Sequence, residues 1–411
     1  MITFYDFDVP VSGGVDVASV LQFDAPATGD FSISDSTFFG GATPEVALIL
    51  STGHDPANAG SQTAHMTIGF GSVGSANRSM QTRSTDAATA SSCVRSSSTS
   101  LVVNVNNAVL GTKQLTGTLA ADGVSFTAST APHAIRCAAT MFAGAEISDF
   151  AEGVIALGSA VATVTTTIGF EADLVIFFGA GNAMPAGSAN QLSFLLGAVV
   201  NDGSDTQRSV FWTEQNAVAA GGNPKQAISN AHAIMEMERS TGALLYSGTV
   251  GNFTSTSFDV VVNASTSGDG VAYLAFKFAT ATARIADFDT PTSTGNSAIT
   301  GVGCSPGWAM LVGTMLESLN SYGATSANQE GMGISFITAA DQVAAAFRIV
   351  SGADPTVASS RLDDGVSLMV SDNTDSAAIK ATLVSLDSDG ITQNYSAVKG
   401  SAKKGWGVFV G

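Results

Sequence analysis

Short apolar runs recur along this chain, each entered through a glycine-containing turn. Three of them match one another in spacing. Gly41-Ala42-Thr43-Pro44-Glu45 leads into Val46–Leu50, Gly169-Phe170-Glu171-Ala172-Asp173 into Leu174–Phe178, and Gly303-Cys304-Ser305-Pro306-Gly307 into Trp308–Val312. Runs of five apolar residues bounded by turn signals read as buried strands. The surroundings repeat as well. Gln22-Phe23-Asp24, Asp149-Phe150-Ala151 and Asp287-Phe288-Asp289 lie upstream, and second strands at His65–Phe70, Gln191–Leu196 and Gly331–Phe336 lie downstream. Further strands are predicted at Leu101–Val105, Ala233–Met237 and Val366–Val370. Late strands open at Val124, Phe258 and Ile391, and closing strands run over Ile135–Met141, Val271–Phe278 and Trp406–Val410. An order kept through three copies is an internal repeat, and it fixes the architecture before any single element does.

The repeat also decides an ambiguous stretch. Lys225–Arg239 contains good helix formers, but its counterparts Ser91–Val105 and Ser359–Val370 are rich in Ser and Val, so strand is the reading for all three. Period-two alternation supports strands elsewhere: Met66, Ile68 and Phe70 face one way, Thr67, Gly69 and Gly71 the other. Hairpin turns are predicted at Asp122-Gly123, Asp202-Gly203, Asp269-Gly270, Asp364-Gly365 and Asp389-Gly390. The expected fold class is all-β, three tandem jelly-roll-like β-sandwich repeats. Their bounds are 1–145 (an N-terminal arm and the first repeat), 146–283 and 284–411. Units of about 130 residues can bury their own cores, so three beads on a string are expected.

Composition narrows the function. The chain has 411 residues, and its 16 Lys+Arg against 34 Asp+Glu give a net charge of −18, which excludes nucleic-acid and anionic-membrane partners. Charged residues are only 12%, yet 45% of the chain is hydrophobic, so an ordered core rather than disorder is expected. No secretory leader is read at Met1–Asp6, and no apolar run reaches the ~20 residues of a membrane helix. Cys93, Cys137 and Cys304 are too scattered for a disulfide framework or a zinc site and read as small apolar residues.

Chemistry-bearing motifs are sparse. His54 falls in a Gly-rich turn, His65 opens a strand and His232 precedes one; with His133 they show no metal-ligand spacing. Gly69-Phe70-Gly71-Ser72-Val73-Gly74 has the dinucleotide spacing, but no helix is expected after it, so it reads as a turn between strands. The acidic turns at Asn201–Asp205, Asp363–Gly365 and Asp387–Gly390 lack the terminal Glu of a calcium loop and read as hairpins. Trp308 and Trp406 read as core, and Trp212 as a half-buried strand residue. No catalytic residue, cofactor-binding residue or metal ligand is assigned, and no enzyme activity is expected.

The Gly-aromatic-x-Pro turn before an apolar strand, the glycine-rich second strand and the late Asp-Gly hairpin resemble repeat β-sandwich proteins of tailed-bacteriophage virions. The chain departs from that pattern at Ala42 and Cys304, where the aromatic would stand, at Ala172 for Pro, and at Ser257-Phe258, where the second copy lacks Asp-Gly. The resemblance implies a structural protein on the virion exterior, foremost a head decoration or cement protein. A tail fibre or other tail appendage with receptor or glycan binding is the second reading, and a non-viral carbohydrate-binding adhesin the third. The implied partners are copies of itself and other capsid or tail proteins, with a surface glycan as a further ligand. The segment 1–14, carrying Phe4, Tyr5, Phe7, Val9 and Val11, is expected as an added strand or docking arm.

Overall fold

The computed structural model describes residues 17–53, 65–85, 93–97, 99–101, 114–129, 134–179, 187–189, 192–214, 224–238, 241–264, 270–320, 322, 331–349, 358–371 and 377–411. The fold is all-β: thirty strands in six antiparallel sheets, with one short helix, Ser36–Phe39, among the described residues. The sheets pair, large against small, in three sets.

The first large sheet has the strand order Ala18–Ala25, Ile135–Phe142, Val46–Ser51, His65–Val73, Asn77–Thr85, Cys93–Ser97, with the short strand Gly187–Ala189 of the second set added at its edge. The second repeats that order with Ile147–Ala156, Gly270–Phe278, Leu174–Gly179, Leu192–Val200, Thr206–Glu214 and Lys225–Ser229. The third does so with Ala283–Asp289, Lys404–Val410, Trp308–Thr314, Gly331–Thr338, Gln342–Ile349 and Ala358–Asp364. The small sheets are Gly29–Ser34, Gly123–Ser129 and Gln114–Ala120 in the first set. In the second they are Ala162–Thr167, Ser257–Ala264, Leu244–Gly251 and Ile234–Met237, and in the third Gly295–Thr300, Gly390–Ala397, Ala377–Asp387 and Leu368–Ser371. The stretch Lys225–Arg239 contains two strands, as expected. Residues 102–105, Asp269 and the arm 1–14 lie outside the described residues.

Each large sheet packs its outer face on its own small sheet, with Ala47, Ile49, Val124 and Phe126 in the first core. Phe177, Phe211, Phe258 and Val260 fill the second, and Ala309, Leu311, Ile379 and Ile391 the third. The beads-on-a-string expectation fails at the other face. There Val46, Leu48, Leu50 and Phe70, then Ile176, Phe178 and Trp212, then Trp308, Met310, Phe336 and Trp406 belong to one continuous core. The three large sheets therefore form a prism around shared apolar contents. Strands buried on both faces must be apolar throughout, which explains why the Leu174–Phe178 run does not alternate.

Two groups of rings take one member from each set. Phe70 lies 5.3 Å from Phe178 and 6.4 Å from Phe336. Phe142 lies 5.3 Å from Phe276 and 4.9 Å, edge-on, from Trp308. Trp212, expected to be half-buried, is wholly inside this shared core with Trp308 and Trp406. Its apolar surface has two neighbouring sheets to meet, where a lone sandwich would offer solvent.

Register shows which residues correspond. Val46, Leu174 and Trp308 stand opposite Phe142, Phe276 and Val410. Ala18, Phe150 and Ala283 face those same three residues on the edge strand. Five residues on, Phe23, Ile155 and Phe288 are equivalent, and all pack toward their own small sheets. The sequence match of Phe150 to Phe23 and Phe288 is thus off by five residues; Phe150 instead packs against the shared core.

Glycines in the second strand are needed for close approach. A Cβ at Gly71 would sit 2.7 Å from the Leu101 carbonyl oxygen, and one at Gly197 would overlap the Ala233 carbonyl. The third set places Ser335 there, and its hydroxyl donates to the Ser367 carbonyl at 2.6 Å. Gly71→Ala is expected to cost about 1–3 kcal/mol, as overpacking does; unchanged denaturant midpoint would contradict the close approach.

Candidate functional site

The turns that lead into the first apolar strands are held by the late hairpins. Asp122 adopts φ 63° and its Oδ1 accepts from Gly41 N at 2.5 Å, while Ala42 O accepts from Asp122 N. Asp389 accepts from Gly301 N at 3.0 Å and Gly303 N at 2.6 Å. In the second set, which lacks Asp-Gly, the Thr256 carbonyl accepts from Ile168 N and Gly169 N instead. The two recurring motifs are therefore one device, an acceptor tucked into a glycine turn. Asp202 is another local acceptor, taking bonds from Ser204 N, Thr206 N and Thr206 Oγ1. Asp364-Gly365 is not a hairpin: it carries the chain from the large sheet to the small one. Among the described residues no group of three or more His, Cys, Asp or Glu is placed to hold a metal ion.

The dinucleotide-like spacing is resolved plainly. Gly69 and Gly71 are strand residues, Gly74 begins the turn, and Asn77–Thr85 that follows is a strand. The glycine-rich turn therefore opens no helix N-terminus.

Polar side chains pair where one set meets the next. Carrying the register across, Ile49, Gly71 and Ser79 correspond to Phe177, Gly197 and Ser209 and to Leu311, Ser335 and Ala344. The residues just before the last of each trio are Arg78, Arg208 and Val343, all facing a neighbouring set. Arg78 Nε lies 3.8 Å from Glu152 Oε2, and Glu152 Oε1 accepts from Ser75 Oγ at 2.8 Å and Ala76 N at 2.5 Å. Arg208 grips Asp287 with a two-pronged fork, Nε to Oδ1 at 2.5 Å and Nη2 to Oδ2 at 2.7 Å. Val343 has no charge and joins the shared core. There the third and first sets meet through apolar contacts, and the Ser360 hydroxyl donates to the Thr52 carbonyl at 2.9 Å.

The junction of the second and third sets also brings a histidine, a serine and a tyrosine together. His232 Nδ1 is 3.3 Å from Ser229 Oγ and 3.5 Å from Tyr322 Oη. The Ser229 hydroxyl donates to Asn320 Oδ1 at 3.0 Å and accepts from Ala231 N and His232 N. Burial lowers the pKa of His232, so its ring is neutral at pH 7. A nucleophile needs its proton aimed at the base and its oxygen open to substrate. Ser229 is fully buried and its proton goes to the amide, so this cluster ties Asn320, whose N–H donates to the Ile228 carbonyl, onto the second large sheet. Sequence reasoning passed over it because Ser229 and Asn320 are far apart in the chain.

The other predicted positions fall as follows. His54 and His133 lie outside the described residues, and His65 begins its strand. Cys137 is buried, and burial pushes the half-buried Cys304 thiol up to about 11, so it stays protonated at neutral pH. Between the second pair of sheets a cavity of about 20 Å³ is lined by Leu195, Phe211, Tyr246 and Val271. It has room for roughly one water molecule.

Two carboxylates shift in opposite directions. Desolvation raises the pKa of Asp173 despite its bond from Phe278 N. For Asp202 desolvation also pushes upward, but hydrogen bonds from Thr206 and Ser204 outweigh it and the net pKa is lowered. Asp173 therefore adds stability as pH falls through its raised folded pKa, while Asp202 loses its contribution as pH falls through its lowered one. Asp173→Asn should flatten the gain on acidification between pH 7 and 4, and Asp202→Asn should flatten the loss below pH 4. Urea midpoints across that range check both signs.

Neither a protein-family model nor a curated protein matches this chain.

Proposed function

We propose that this protein is an exterior structural component of a tailed-bacteriophage virion, a head decoration or cement protein, acting by docking rather than by chemistry. The reading rests on the resemblance of its repeated sandwich motifs to modules of such particles. One structural observation carries it further: the recurring turns, hairpins and junction pairs are all spent on holding sheets together. The outward faces suit a particle surface. Among the described residues the large apolar side chains left exposed are Val161, Val261 and Val384, each on or beside a small sheet. Cross-strand polar pairs such as Thr165–Asp259, Thr127–Asp30 and Asn394–Asn296 cover those sheets. Docking is accompanied by self-association with other copies, through these outward faces and the arm 1–14.

Gradient-purified particles probed with gold-labelled antibody test the proposal, and the expected result is regular labelling of the head. Labelling confined to the tail would replace decoration by tail appendage. Protein found only in host cytosol, never on particles, would overturn the virion reading. Specific glycan-array binding together with that absence would favour the adhesin.

A further inference from the structure

We infer that the inner faces of the three large sheets are heterotypic, each shaped for the other two in a fixed cyclic order. The chain thereby closes its own ring, and three copies of any one face would not fit together. This goes beyond the virion reading and does not depend on it.

The corresponding positions differ in a complementary way. Where the third set has Trp406, register places Ala138 in the first and Ala272 in the second. Where the third has Trp308, the first has Val46 and the second Leu174. All six belong to the shared core, so one bulky side chain is matched by two smaller ones. Protein interiors pack at near-crystalline density, so three tryptophans, or three alanines, at one level would overfill the space or leave it empty. The aromatic contacts follow the same rule. Phe70 and Phe142, both from the first set, each touch one ring from the second and one from the third.

The junctions are chemically distinct as well. First to second uses Arg78 and Glu152, second to third uses Arg208 and Asp287. Third to first uses Val343 and the bond from Ser360 to Thr52. A first set meeting another first set would set Arg78 against Val20, the residue that corresponds by register to Glu152 in the second set and Ile285 in the third. A buried, unpaired guanidinium strongly disfavours such a contact. Order is further specified by Gly187–Ala189 of the second set, which pairs with Ser96–Val94 at the edge of the first large sheet. The segments 143–146 and 279–282 that join successive sets are short. They hold the faces at high effective concentration, so closure within one chain outcompetes exchange with another.

The test uses the full chain with Thr52→Cys and Ser360→Cys, residues far apart in sequence but in contact where the ring closes. Mild oxidation is expected to give a faster-migrating monomer on a non-reducing gel, reversed by reductant and independent of protein concentration. Thr52→Cys alone should show no such band. A disulfide-linked dimer would show that the ring closes between chains, and no new disulfide would mean that residues 52 and 360 are not held as neighbours in solution; either overturns the inference. A second measurement addresses fit: Ala138→Trp and Trp406→Ala are each expected to lower Tm, and the double variant to recover a substantial part of the loss. Losses that simply add would mean the two positions do not share one space.

Discussion

Phe70→Ala is expected to destabilise the whole chain by about 3–5 kcal/mol, the range for deleting a buried aromatic side chain. Phe70 is fully buried and touches a ring from each of the other two sets. The void it leaves is bounded by three sheets that already hold one another in place, which limits collapse and puts the cost at the upper end. The informative part is cooperativity. If the shared core couples the three sandwiches, calorimetry gives one transition and the variant moves it as a unit. Three transitions, of which only the first shifts, would mean that the sandwiches unfold independently and that the common core contributes little.

Arg208→Ala is expected to cost about 2–4 kcal/mol, well above the ~0–1 kcal/mol of an exposed pair such as Arg136–Asp24. The side chains of Arg208 and Asp287 are 14% and 29% exposed, so the fork is partly shielded, and the upper end of the buried-pair range is discounted for what water still screens. The truncation leaves Asp287 against the second large sheet without its two donors. Arg208→Lys should recover only part of the loss, because an ammonium cannot reproduce the two parallel bonds. Equal denaturation midpoints for the Arg208→Ala and Arg136→Ala variants would contradict this ranking.

Much of the fold could be read from the chain because its signals are local. Gly41, Gly169 and Gly303 mark turns, and Val46–Leu50 and its counterparts mark buried strands. Lys225–Arg239 reads as strand rather than helix only by comparison with the other copies. Local signals also explain the errors. Asp-Phe at 149–150 looks like the flank at 287–288, but strand pairing moves the match to Ile155, whose side chain shares the burial of Phe23 and Phe288. Asp364-Gly365 has the residues of a hairpin yet joins two sheets, since a left-handed glycine serves any sharp reversal. The shared core was hidden for a different reason. An apolar run reports that a strand is covered on both faces but not by what, and a neighbouring set covers it as well as a helix would. The junction pairs were hidden likewise: Arg208 and Asp287 lie 79 residues apart, in different sets, and nothing near either residue announces the other.

The position of Phe70 and Phe142 in the first set has a consequence during synthesis. Both emerge early, yet the third set's final strand, Lys404–Val410, is made about 270 residues after Phe142. At translation rates of about 5–20 residues per second, that interval is roughly 15–50 s. Until the second set is complete at Phe278 the first large sheet presents an unmated apolar face, and from then until Val410 is made the side that meets the third set stays open. A stall between residues 150 and 400 is therefore expected to release a species that aggregates more readily than the finished protein, because part of that apolar face stays uncovered.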